Sequence, residues 1–242
     1  MRAGLLSKIL ALMPVLMLAL PLPGAAQTFG LPQGCEAYVT VQKRNCTVTH
    51  LFRCPGDPEG HQRRVDVDEG GMTYAGLIDA ETQWIESWHV LADSVDRLMA
   101  GASDPASFST LLAEGVDSFA FSTMTDDTYR TDFEGEDRLT GETVVVDGVT
   151  LEQTAFRVVA RDPQGNVLWQ TEGNEYIHRD WRTFLSGTRT TTNSTETWED
   201  DGTPVEFAFP GEEGFLSSVP RHGCGVMLSR AMVGAIDLTQ GN

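Results

Sequence analysis

The chain reads as a series of short stretches in which apolar and polar residues alternate, each closed by turn-forming residues. A period of two is the mark of a strand with one buried face. Residues 63–68 place Val65 and Val67 on one face, and Asp68-Glu69-Gly70-Gly71 then turns the chain. Residues 38–41, 47–53 and 72–78 read the same way. Further on, Phe119 and Phe121 alternate with small residues over 118–123. Residues 143–146 and 150–156 flank Asp147-Gly148, a hairpin signal. Residues 156–160 and 167–171 flank the turn 162–166, and 184–192 and 195–198 flank Asn193-Ser194. After the turn 200–202, Val205, Phe207 and Phe209 alternate in a last strand, 205–209.

One segment is helical in character. Asp104 can cap it, Pro105 suits the first helical position, Phe108, Leu111 and Leu112 form its apolar face, and Gly115 ends it. Residues 82–90 are ambiguous, because Trp84, Trp88, Leu91, Val95 and Leu98 also fit helical spacing. Their β-branched and aromatic content, together with the preceding turn, reads as strand. Strands at this spacing with one helix predict a mainly β fold. The expected form is an antiparallel meander, curved strongly into a half-barrel with the short helix covering it. A closed small barrel or a sandwich is the alternative.

The first 26 residues break the pattern. Arg2 and Lys8 precede an apolar run from Ile9 to Leu22, and Gly24, Ala25 and Ala26 follow. These are the parts of a cleavable signal peptide. The run covers 14 residues, whereas a spanning helix needs ~20. Cleavage after Ala26 leaves one β-rich domain, 27–242, of 216 residues, with no later apolar span. The signal carries two of the 17 basic residues and none of the 35 acidic ones, so 15 bases face 35 acids and the mature charge is −20. Such a chain is repelled by nucleic acid and anionic lipid.

All four cysteines, Cys35, Cys46, Cys54 and Cys224, fall in the mature part, which argues for two disulfides in an exported protein. If 47–53 is a strand, Cys46 and Cys54 lie ~26 Å apart, too far for a bridge. Two pairings survive: Cys35–Cys46 with Cys54–Cys224, and Cys35–Cys54 with Cys46–Cys224. Either ties the C-terminal segment to the N-terminal strands.

Candidate chemistry is sparse. The five histidines show no metal-ligand spacing, and the chain has no nucleophile elbow, no phosphate loop and no Cys-x-x-Cys. No metal or cofactor is expected. His222-Gly223-Cys224 lacks companion ligands, and the calcium-loop start at Asp66–Gly70 lacks its bidentate acid. The acidic clusters Asp126-Asp127 and 134–137 read as solvated loops. The most suggestive catalytic pair is His178 with Asp180, a histidine that an aspartate can orient as a base, although two residues on one strand face also pair for purely structural reasons. Trp84, Trp88, Trp169, Trp181 and Trp198 lie in or beside strands; they fill a core or, in a half-barrel, line a ligand pocket.

Three stretches, 46–50, 78–84 and 204–207, resemble an uncharacterised family of exported bacterial proteins. That resemblance implies compartment and single-domain length only. In architecture, the expected half-barrel is similar to the periplasmic lipoprotein carriers. The sequence therefore supports an expectation of a periplasmic or secreted, non-catalytic carrier or binding protein for a lipophilic ligand. An envelope protein that docks a protein partner is the alternative, and a hydrolase the second alternative. No nucleic acid is expected among its partners.

Overall fold

The alternating stretches form strands throughout. The computed structural model describes residues 27–225. The expected signal peptide, 1–26, lies outside the described residues. The first strands are β1 (Glu36–Lys43), β2 (Thr47–Arg53), β3 (Gln62–Asp68), β4 (Gly71–Ile78), β5 (Trp84–His89) and β6 (Ser94–Leu98). The helix α1 (Phe108–Glu114) intervenes. Then follow β7 (Val116–Thr125), β8 (Tyr129–Val146), β9 (Val149–Arg161), β10 (Val167–His178), β11 (Thr183–Asn193), β12 (Thr197–Asp201) and β13 (Pro204–Ala208). Val90–Ala92 is a 3₁₀ turn between β5 and β6.

The thirteen strands of the described residues belong to one open antiparallel sheet. From β12 down to β1 it is a continuous meander, and β13 returns to pair with β1. The edge strands β12 and β13 are not paired with each other, so neither a closed barrel nor a sandwich is formed. The sheet nevertheless curls. Val39, Val41 and Leu51 from β1 and β2 pack with Val149, Leu151, Leu185 and Phe207 from β9, β11 and β13. Strands so distant in the sheet order meet only where the accumulated twist brings one end back over the other. A second cluster joins Phe119, Phe121, Phe133, Val158 and Ala160 across β7, β8 and β9.

α1 inserts Phe108 and Leu111, each 1 % exposed, against Ile177, with Leu139 and Phe184 beside them. Burying two such side chains contributes roughly 1.5–3 kcal/mol each. Its start differs from expectation. Ser107, not Asp104, is the cap, its side chain accepting from Thr110 N at 3.1 Å. Asp104 is engaged instead in a backbone bridge with Ala120; it and Pro105 precede the cap, because the first helical residue is Phe108. Gly115 ends α1 in the left-handed conformation, φ +79°, which its missing Cβ permits.

One other expectation changes. Residues 134–137 are not a loop; they sit in the middle of β8, an 18-residue strand paired with β7 and β9. Their charges hid the strand because one of its faces is solvated. Residues 82–90 take the strand reading as β5, and β6 follows it. The Asp147-Gly148 turn is present, with φ +47° and +79°, as a two-residue hairpin requires.

The disulfides are Cys35–Cys54 and Cys46–Cys224. The second anchors residues 214–225 as a strap over β1. Leu216 N donates to Thr40 Oγ1 at 2.8 Å, Arg221 N to Gln42 Oε1 at 3.0 Å, and Cys46 N to His222 O at 2.9 Å.

Candidate functional site

Inside the curl, β1, β2 and β3 contribute a buried polar chain. Lys43 (4 % exposed) lies 3.4 Å from Asp66 Oδ2, Arg64 Nη2 donates to the same oxygen at 2.5 Å, and Thr49 Oγ1 donates to Oδ1 at 2.6 Å. Burial pushes Lys43 down to about 8 against the pull of Asp66. For Asp66, burial would raise the pKa, but Arg64 and Lys43 outweigh it and hold the carboxyl well below the carboxylate range. Arg64 also lies over the Tyr74 ring, and Tyr74 meets Ser87 hydroxyl to hydroxyl at 2.9 Å. These groups satisfy one another, which is what retains charge in a core.

Two carboxyls continue the line on β10 and β8. Burial pushes Glu175 up to about 7, with Arg64 and Arg189 opposing. Burial also pushes Asp137 up to about 8, helped by the negative neighbours Glu175, Asp117 and Glu136. Both remain half-buried rather than sealed. At neutral pH, Asp137 is thus largely an uncharged hydrogen-bonding group. Phe133, Gly135 and Asp137 alternate on one face of β8. Phe119 covers Gly135 so closely that a Cβ there would fall 2.4 Å from its ring.

The face changes character toward Phe133. Phe121 and Phe133 stack at 5.2 Å, and Trp84 meets both edge-on, at 5.3 and 5.5 Å. Trp169 lies 5.9 Å from Phe133. Trp84 stays 38 % exposed, so this aromatic cluster opens to solvent. Trp84 and Trp169 are therefore brought together, whereas the other tryptophans are placed elsewhere. Trp181 packs against Phe207 and Phe209, while Trp88 and Trp198 are exposed at 40 % and 42 %. The enclosed cavity between β1, β2, β3 and β11, lined by Leu51, Arg64 and Leu185, measures about 10 Å³, the space of a single water. A larger hollow of about 330 Å³ lies outside, lined by Gln42, Asp147, Glu206, Glu213 and Arg221.

His178 and Asp180 are not hydrogen-bonded to each other. His178 Nδ1 accepts from Trp181 N at 3.3 Å, and the two rings stack at 3.8 Å. Burial lowers the pKa of His178, with Asp180 opposing. The histidine–carboxylate contact formed across a hairpin is His89 Nε2 with Asp96 Oδ2, at 3.0 Å, and Asp96 Oδ1 accepts from Thr125 Oγ1 at 2.5 Å. Sequence reasoning missed this pair because it depends on β5–β6 register, which no local motif encodes. Cys46, Glu69 and Cys224 come close enough to hold an ion, but the two sulfurs are bonded to each other and offer no thiolate. Among the described residues, no helix is long and apolar enough to cross a membrane. The two disulfides suit an exported protein.

No known protein family, no curated protein and no solved structure matches this chain.

Proposed function

We propose that the protein is a periplasmic, non-catalytic carrier or binding protein for a lipophilic ligand. One observation carries the reading: the aromatic cluster of Trp84, Phe121, Phe133 and Trp169 is exposed at Trp84 and continues along β8 to the half-buried, largely neutral Asp137. An apolar surface ending in one polar group recognises an apolar body with a polar head. Because the aromatic cluster opens to solvent at Trp84, the ligand seats on this open face.

The test is direct. N-phenyl-1-naphthylamine, a neutral lipophilic fluorophore, should bind saturably to the full-length mature protein and quench tryptophan emission. Trp84→Ala should weaken that binding about tenfold, the equivalent of one lost aromatic contact of ~1.4 kcal/mol. Protein from the native host should also show a native mass exceeding its denatured mass by a discrete lipid-sized increment. Equal masses together with no saturable probe binding would remove the carrier reading.

A further inference from the structure

β12 is the open edge of the sheet: among the described residues it pairs with β11 alone. The opposite edge is protected. β13 begins at Pro204, which has no amide hydrogen, and Asp147 Oδ2 occupies Phe207 N at 2.9 Å.

The ladder register shows which groups of β12 are free. Asn193 N donates to Glu196 O at 3.0 Å, and Gly202 N to Gly187 O at 2.9 Å. Hydrogen-bonded and non-bonded pairs alternate in an antiparallel ladder. The bonded pairs between these two contacts are therefore Thr191 with Trp198 and Arg189 with Asp200. The non-bonded pairs are Thr192 with Thr197, Thr190 with Glu199 and Thr188 with Asp201. The hydroxyls of Thr192 and Thr197, 3.0 Å apart, fit the closer approach of a non-bonded pair. It follows that the N–H and C=O groups of Thr197, Glu199 and Asp201 point away from β11. At Asp201 the β1–β2 turn closes in, with Arg44 on Asp201 at 3.4 Å and Asn45 on Asp200 at 3.1 Å. The accessible stretch is Thr197–Glu199.

This stretch is acidic. Glu196, Glu199, Asp200 and Asp201 crowd into six residues. Arg189 and Arg44 offset the two aspartates, but among the described residues Glu196 and Glu199 have no cationic partner. Trp198 stands 42 % exposed between them. We propose that this edge docks a basic, extended segment of a protein partner by strand addition. The free backbone groups of Thr197 and Glu199 supply the ladder. Glu199 selects lysine or arginine on one face of β12, and on the opposite face Glu196 and the Trp198 ring are open to a cation. The chain's own net charge, −18 over the full sequence, opposes a second copy as the occupant.

The register also supplies a selective variant. Proline is tolerated on an edge strand where the N–H faces outward. Glu199→Pro therefore removes one docking donor while leaving the bonded pairs to β11 intact. The probe is an acetylated, amidated octapeptide of alternating lysine and valine, added to the full-length mature protein. It should slow amide exchange at Thr197 and Glu199. Its affinity should fall about tenfold in Glu199→Pro, matching the loss of one hydrogen bond of ~1.4 kcal/mol. Glu199→Gln, which keeps the donor, should weaken binding only a few-fold and flatten its salt dependence. Three results overturn the proposal: no binding of the peptide, equal binding by Glu199→Pro, or Thr197 and Glu199 amides already protected without peptide. If Glu199→Pro lowers the melting temperature, the exchange measurement on the unaltered protein decides.

Discussion

His50, on β2, has no exposed surface and packs under the N-terminal segment. Phe29 stacks on it with centroids 4.7 Å apart and planes within 7°. Leu216 N donates to Thr40 Oγ1, and the same hydroxyl pairs with His50 Nδ1, 3.1 Å away. Nε2 has no partner. A second proton has nowhere favourable to go, and burial pushes the pKa down to about 4, with Asp66 opposing. The unfolded chain takes up that proton near 6.5, the folded protein only near 4. The stability due to neutral His50 is therefore complete above pH 6.5 and is lost as pH falls from 6.5 toward 4, at up to about 1.4 kcal/mol per pH unit. Asp137 and Glu175 act in the opposite direction, because their raised values favour the folded state at low pH. Comparing the parent protein with His50→Gln cancels that contribution. The parent should lose more stability than the variant between pH 6.5 and 4.5 in urea titrations; parallel losses would show that His50 is not held neutral.

At the scale of elements, α1 is short and depends on its ends. Ser107 accepts from Thr110 N, while Glu81 receives Ser107 Oγ at 3.2 Å and Ser109 N at 2.8 Å. A seven-residue helix has little cooperative stability of its own, so the cap and the buried pair Phe108 and Leu111 hold it. Ser107→Ala should cost about 1 kcal/mol, read as a lower urea midpoint with an unchanged slope. A null effect would mean that Glu81 alone fixes the helix start. β8 shows where sequence periodicity fails. Thr131 and Phe133 are buried, yet the alternate positions carry Glu134, Glu136 and Arg138, and Gly135 supplies no apolar signal where the Phe119 ring covers it. Such a strand reads as an acidic loop until its partners β7 and β9 are known.

Over the whole molecule, the two disulfides constrain very different lengths of chain. Cys35–Cys54 spans a separation of 19 residues and Cys46–Cys224 one of 178. On loop-closure entropy the shorter is worth about 3 kcal/mol and the longer about 5 kcal/mol. Replacing Cys46 and Cys224 by serine should therefore lower the melting temperature more than replacing Cys35 and Cys54. It should also speed amide exchange at Leu216 and Arg221, which the strap holds on Thr40 and Gln42. Equal losses from the two pairs would place the stabilisation in local packing instead.

The division between sequence and tertiary structure follows from the range of the forces involved. Alternation, turn residues and the Gly115 terminus are local, and from them the strand-rich class, the single helix and most hairpins follow. The extended span of 47–53 separates Cys46 from Cys54, which excluded one disulfide pairing; only the return of the C-terminal strap chose between the other two. Sheet curvature brings β1 and β2 against β9 and β11, while pairing across several strands assembles the Lys43–Asp66–Arg64 chain, the raised pKa values of Glu175 and Asp137, and the grouping of Trp84 with Trp169. Those features depend on residues far apart in the chain, so local patterning cannot encode them. His178 and Asp180 stand close in sequence without bonding, while His89 and Asp96 meet because a hairpin sets their register.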